Sequence, residues 1–131
     1  MEELIIYTDG CSKGNPGSAG IGIVMYNKSG EVAKKISRYI GMATNNYAEY
    51  TALKIALEEA YNMGARRVRL FLDSELVVRQ LKGEYKIKSE DLKPLYESVT
   101  YLLKKFDYYE INHVNREFNK EADKLANLAL K

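Results

Sequence analysis

Cysteine is nearly absent: Cys11 stands alone, so no internal disulfide can form, and the chain is expected in the cytoplasm. A lone thiol is more often a small packing residue than a nucleophile. No apolar stretch is long enough to span a bilayer. The opening Met1-Glu2-Glu3 is acidic and runs straight into an apolar segment, which is not the pattern of a signal peptide. An excess of one charge is missing too. The 20 Lys and Arg against 18 Asp and Glu leave +2, short of the basic stripe of a strong duplex binder, so any grip on nucleic acid has to come from specific contacts. There is one histidine, and a lone histidine carries little inference by itself. No repeat, low-complexity tract or linker is visible, and the length of 131 residues fits one domain, residues 1–131.

What is present is a globular composition, 46% hydrophobic and 29% charged, arranged around residues 4–17. Leu4-Ile5-Ile6-Tyr7-Thr8-Asp9 is an apolar, β-branched and aromatic run that predicts a buried strand bearing Asp9. Gly10, Gly14, Asn15, Pro16 and Gly17 supply the turn after it. Further strands are expected at Ile21–Asn27 and Val32–Ile40, giving an antiparallel meander. Ala48, Ala52, Ile55, Ala56 and Ala60 recur at helical spacing and predict a helix from Thr44 to Met63, with Thr44, Asn45 and Asn46 as N-cap candidates and Gly64 as its stop. Arg67–Leu72 reads as a strand, Glu75–Leu81 and Leu92–Phe106 as helices, Tyr108–Val114 as a strand and Asn119–Leu130 as a helix. Gly83 to Asp91 is the most polar connection and is expected to be mobile. The order βββαβααβα implies an α/β fold with a mixed sheet and helices on both faces.

Four acidic residues sit at special places in this plan: Asp9 on the first strand, Glu49 early in the long helix, Asp73 at the end of the fourth strand and Asp123 early in the last helix. Ligand sites in open α/β sheets form near strand ends and the helices beside them. Carboxylates that converge there cannot all be ionised without cations, and an all-oxygen set suits Mg²⁺ or Mn²⁺. Each residue also has an ordinary structural role. Glu49 can complete a capping box with Asn46, Asp73 can cap the next helix, and Asp123 can favour a helix dipole. Asp9 has no helix beside it, and a carboxylate on a core strand is costly unless it caps backbone amides or meets a cation.

Tyr7-Thr8-Asp9-Gly10 followed by Gly14-Asn15-Pro16-Gly17 resembles the opening signature of type 1 ribonuclease H. Thr44-Asn45-Asn46-Tyr47-Ala48-Glu49 resembles that family's second motif, Asp73-Ser74 its third, and His113 with Asn119-Lys120-Glu121-Ala122-Asp123-Lys124-Leu125-Ala126 its last. The motifs occur in order over residues 7–126. The resemblance implies a ribonuclease H-like fold, a five-stranded mixed sheet flanked by helices. It implies endonucleolytic hydrolysis of the RNA strand of RNA/DNA hybrids, leaving 5′-phosphate and 3′-hydroxyl ends. Asp9, Glu49, Asp73 and Asp123 match the family's metal-binding catalytic carboxylates, with Asp9 and Asp73 shared between two Mg²⁺ ions for which Mn²⁺ can substitute. Such a pair, roughly 4 Å apart, serves both ends of an in-line displacement without a side-chain nucleophile. His113 matches the histidine that handles protons or assists product release.

Substrate contacts follow from the same resemblance. The Ser12 backbone, Asn15, Asn45 and Asn46 line the minor groove, where the 2′-hydroxyl separates RNA from DNA, and Thr44 belongs to a pocket for a DNA-strand phosphate. Glu75 stands where the family often has Gln. A Lys- and Trp-rich handle common in bacterial members is reduced here to Gly83-Glu84-Tyr85-Lys86-Ile87-Lys88-Ser89-Glu90-Asp91, in a chain without Trp. Lys82, Lys86 and Lys88 either touch phosphates or form a solvated face. A monomer acting on RNA/DNA hybrid is expected, with double-stranded RNA left open as a second substrate and no membrane partner. Two other classes compete with the enzyme. One is the same fold with impaired catalysis, serving as a binding module. The other is a phosphotransferase with Asp9 as nucleophile, which commonly needs a second Asp where Cys11 stands.

Overall fold

The computed structural model describes residues 2–131. Five strands form one sheet: β1 (Glu3–Ser12), β2 (Gly17–Tyr26), β3 (Val32–Ala43), β4 (Arg67–Leu72) and β5 (Tyr108–His113). Four α-helices accompany them: α1 (Asn45–Asn62), α2 (Glu75–Leu81), α3 (Lys93–Leu103) and α4 (Lys120–Leu128). The sheet order is β3-β2-β1-β4-β5. The first three strands pair antiparallel, while β1–β4 and β4–β5 are parallel. The mixed sheet expected from the element order is what the chain forms. A short 3₁₀ turn, Arg116–Phe118, precedes α4 and has no sequence signal of its own.

Local chemistry accounts for most boundaries. In β4, Val68, Leu70 and Leu72 are buried while Arg67, Arg69 and Phe71 are half-buried, the period-2 pattern of a strand with one core face. β2 is buried along nearly its whole length because helices pack on both of its faces. Among the N-cap candidates, Thr44 is the cap, its hydroxyl accepting from Tyr47 N at 3.2 Å. Such caps contribute about 1 kcal/mol. Ser74 caps α2 through Val77 N. Glu49 and Asp73 are therefore free of the capping roles open to them in the sequence. α3 is shorter than the expected Leu92–Phe106, beginning at Lys93 with Pro94 in its first turn, where a missing N–H costs nothing. β3 runs on to Ala43, past the expected end at Ile40.

The main core lies between the sheet and α1, α2 and α3, filled by Leu4, Ile6, Ile23, Leu53, Leu70 and Val99 among others. Each such side chain contributes about 1.5–3 kcal/mol on burial. α4 packs on the opposite face, with Ala122 and Ala126 buried. The two faces meet their helices at glycine. A Cβ on Gly10 would collide with the α1 backbone at Ala48 and Glu49, and one on Gly22 with the α4 backbone at Ala122 and Ala126. Gly10 follows Asp9, and Gly22 is the residue paired with Asp9 across β1 and β2. Two helices thus close on the sheet at the level of one carboxylate.

Candidate active site

The parallel pairing of β1 with β4 ends at Tyr7 opposite Phe71. Two residues further on, Asp9 and Asp73 lie where the ladder has stopped. The strand order also reverses here: β1 continues into β2 and β3 on one side, and the chain then returns from β3 through α1 to place β4 on the other side of β1. Crevices at such switch points are the ligand sites of open α/β sheets. α1, held against Gly10, adds Glu49. One carboxylate oxygen from each of Asp9, Glu49 and Asp73 lies within 4.8 Å of the others.

Asp9 is 5% exposed and Glu49 7%. Burial, reinforced by the Asp73 charge and by Asp123, pushes the Asp9 carboxyl from 3.8 up to about 8. Burial also raises Glu49 well above the ordinary range, with Asp9 and Asp73 adding to it. Glu49 Oε1 is buried without a hydrogen-bond partner. Asn119 Nδ2 donates to Asp73 Oδ2 but brings no full positive charge. A hard divalent cation fits better, because it takes oxygen ligands only and supplies the charge that lets the carboxylates ionise together. Asp123 stands beside the trio rather than within it. Its proximity helps to raise the Asp9 carboxyl, and its Oδ1 accepts from Asn127 Nδ2 at 3.3 Å and faces Arg116 at 3.6 Å.

The other expected site residues are dispersed around this centre. His113 ends β5 and is exposed. It lines a small cleft with Glu75, Val78, Arg79, Lys82 and Glu84 and is not one of the carboxylate cluster's members. Asn45 Oδ1 accepts from Ser12 N at 2.8 Å, and Asn15 Oδ1 accepts from Asn45 N at 3.1 Å. Both amide oxygens are used inside the protein, which leaves the amide N–H groups as the outward-facing chemistry. Asn15, Thr44, Asn45 and Asn46 share a groove of about 850 Å³ with Met42, Ser89 and Asp91. The Thr44 hydroxyl is engaged as the α1 cap. Glu75 is not a free carboxylate: Arg79 Nη2 approaches its Oε2 at 2.8 Å, and Arg79 Nη1 holds Glu84 at 2.9 Å. Lys86 and Lys88 line a second groove with Asn46, Leu76, Gln80 and Tyr85.

Two features went unread in the sequence. Gly10, read as a turn residue and the end of the first motif, lies within β1, and Gly22 reads as a strand residue; neither reading includes that both set helix approaches. Asn119 enters the sequence reading as a helix start and as the first residue of the last motif, with no role of its own. It is 1% exposed and donates to Thr8 O at 2.9 Å and to Asp73 Oδ2 at 3.2 Å. Its place four residues before Asp123 was the available signal.

Fold and site together define a ribonuclease H-like α/β domain with an acidic, cation-adapted centre. A family model described as reverse transcriptase-like matches residues 7–129. Ribonuclease HI of Halobacterium salinarum is 44% identical over 124 residues, 95% of this chain and 62% of that protein. Its crystal structure superposes with a TM-score of 0.95 over 98% of this chain and 97% of that chain. The bifunctional protein Rv2228c of Mycobacterium tuberculosis is 40% identical over 98% of this chain and 35% of its own length. The chain thus spans about a third to two thirds of these two relatives. LC11-RNase H1, crystallised in complex with RNA/DNA hybrid, is 41% identical over 96% of this chain and 95% of that one, at a TM-score of 0.90. The chain belongs to the ribonuclease H family. No helix among the described residues is long and apolar enough to cross a membrane.

Proposed function

We propose that this chain is a ribonuclease H that cuts the RNA strand of RNA/DNA hybrids endonucleolytically, leaving 5′-phosphate and 3′-hydroxyl ends. The observation that carries this reading is the convergence of Asp9, Glu49 and Asp73 at the sheet's switch point, with Glu49 Oε1 unpartnered. The hybrid-bound LC11 relative supports the substrate class. Two Mg²⁺ ions, or Mn²⁺ in their place, supply when bound an activated water and charge for the departing oxygen. Asp9, Glu49 and Asp73 would hold them, with Asp123 completing the set from beside Asp9.

The remaining roles belong to the chain's own groups. The amide N–H groups of Asn15 and Asn45 are held outward by their internal hydrogen bonds and suit acceptor atoms on sugars and bases. Asn46 lines both grooves beside this surface. His113, exposed at the end of β5, can exchange protons with water beside the site. Residues 1–131 act as one domain, as a monomer and in the cytoplasm on this reading. The test is a cleavage assay on labelled hybrid, double-stranded RNA and duplex DNA, each with Mg²⁺, Mn²⁺ or Ca²⁺. Mg²⁺-dependent cuts confined to the RNA strand of the hybrid are expected. Binding of hybrid without cleavage under any cation would instead identify a binding module.

A further inference from the structure

Asn119 is the residue before α4, and its backbone carbonyl accepts from Asp123 N at 3.1 Å. A residue in this position ordinarily turns its side chain onto the helix's free N–H groups, worth about 1 kcal/mol to the helix. Asn119 makes no such cap. Its side chain points inward, and its amide spends both N–H donors elsewhere, on the Thr8 carbonyl at 2.9 Å and on Asp73 Oδ2 at 3.2 Å. Thr8 immediately precedes Asp9. Asn119 N also closes the 3₁₀ turn onto Arg116 O at 3.0 Å, in the connection that leads from His113.

One buried side chain therefore ties together the segments bearing Asp9, Asp73 and Asp123. It occupies one oxygen of Asp73. Asn119 Oδ1 is itself buried without a partner, so the amide is oriented by its two donor contacts alone. We infer that Asn119 is a positioning residue: it sets the spacing of three carboxylates and aims Asp73 into the cation-adapted centre, at the expense of capping α4. Glu49 lies outside this tie and is placed by the approach of α1 to Gly10. The inference rests on the proposed cation-dependent function but speaks to the cation site itself, so it has a readout apart from cleavage.

The experiment compares wild type, Asn119→Ala and Asn119→Ser by calorimetric Mg²⁺ titration without hybrid, by kcat and KM on hybrid, and by thermal unfolding. Asn119→Ala removes both donors without changing charge. It is expected to weaken Mg²⁺ binding about tenfold or more and to lower kcat on the order of 10²-fold, the scale of a catalytic group misplaced by about 1 Å, with KM for hybrid within threefold. Asn119→Ser keeps one short donor and is expected to fall between Ala and wild type in both readouts. Variants that lose thermal stability yet keep wild-type Mg²⁺ affinity and kcat would overturn the inference, as would failure of both variants to fold, which would make Asn119 a purely structural residue. If wild type binds Mg²⁺ but cuts no hybrid, the functional reading fails, while the Mg²⁺ titrations still decide the role of Asn119.

Discussion

Gly10 brings Glu49 to Asp9. The α1 backbone at Ala48 and Glu49 sits where a Cβ of residue 10 would be, so the helix carrying Glu49 rests directly on the strand carrying Asp9. Gly10→Ala forces the two apart. Overpacking of this kind costs about 1–3 kcal/mol, a fall in Tm of roughly 4–11 °C for a domain of this size. The catalytic loss is expected to exceed what stability explains, because a shift of about 1 Å can cost on the order of 10² in rate. Thermal unfolding and kcat on hybrid check both. Wild-type values for the two would show that α1 does not bear on β1 at this point.

Neutralising Asp9 or Asp73 separates binding from chemistry. Asp9→Asn and Asp73→Asn are expected to abolish cleavage, since each removes a cation ligand, while hybrid binding survives because one fewer negative charge repels the phosphates. Near-normal cleavage by either folded variant would remove the acidic centre from the reaction.

The same centre predicts a pH dependence for the cation-free protein. The Asp9 carboxyl rises from 3.8 to about 8 on folding, mainly through burial, so the folded state binds its proton more tightly than the unfolded state does. Its contribution to stability is present below the unfolded value and is lost as pH climbs through the window up to about 8,. Glu49 shifts in the same direction. Thermal unfolding in a chelator should therefore show Tm falling from acidic toward mildly alkaline pH, once acid effects elsewhere are subtracted by comparison with Asp9→Asn. That variant is expected to be more stable than wild type near neutrality. Parallel Tm profiles for the two proteins would contradict a proton-holding Asp9. Added Mg²⁺ should flatten the wild-type profile.

His113 lies in a cleft with Arg79 and Lys82, apart from the carboxylate trio. His113→Ala should slow turnover by about 10²-fold, within the range of acid–base groups, and leave Mg²⁺ affinity unchanged. A large loss of Mg²⁺ binding by calorimetry would instead make it a ligand or a structural residue.

Glu75 and Arg79 make opposite predictions. Arg79 already compensates Glu75 and also grips Glu84. Glu75→Gln takes the Glu75–Arg79–Glu84 group from one net negative charge to neutral, so repulsion of the phosphates falls and KM for hybrid should fall at low salt, with kcat within a few-fold. Arg79→Ala leaves two carboxylates uncompensated and should raise KM. Both effects should fade as salt screens the exposed charges, and stability should change little, since exposed ion pairs contribute about 0–1 kcal/mol. Steady-state kinetics at low and high salt test this. A Glu75→Gln enzyme as inactive as Asp73→Asn would put Glu75 in the catalytic centre.

The sequence by itself determined the elements and their order, because apolar periodicity and turn residues act locally. The strand run Arg67–Leu72, the alanine stripe of α1 and its stop at Gly64 are all readable without a partner segment. It also named the four carboxylates, since their motifs are contiguous. By resemblance it set Asp9 and Asp73 apart as the shared ligands. Only the tertiary structure gathered Asp9, Glu49 and Asp73 into one cluster and left Asp123 at its flank, because the distances depend on where β1 and β4 part and on how closely helices approach Gly10 and Gly22. It likewise chose Thr44 over Asn45 and Asn46 as the cap. It turned Asn119 inward from its helix, onto the Thr8 carbonyl 111 positions away. Long-range contacts of this kind leave no periodicity in the chain, since the physics that selects them is packing and charge compensation after the sheet has formed.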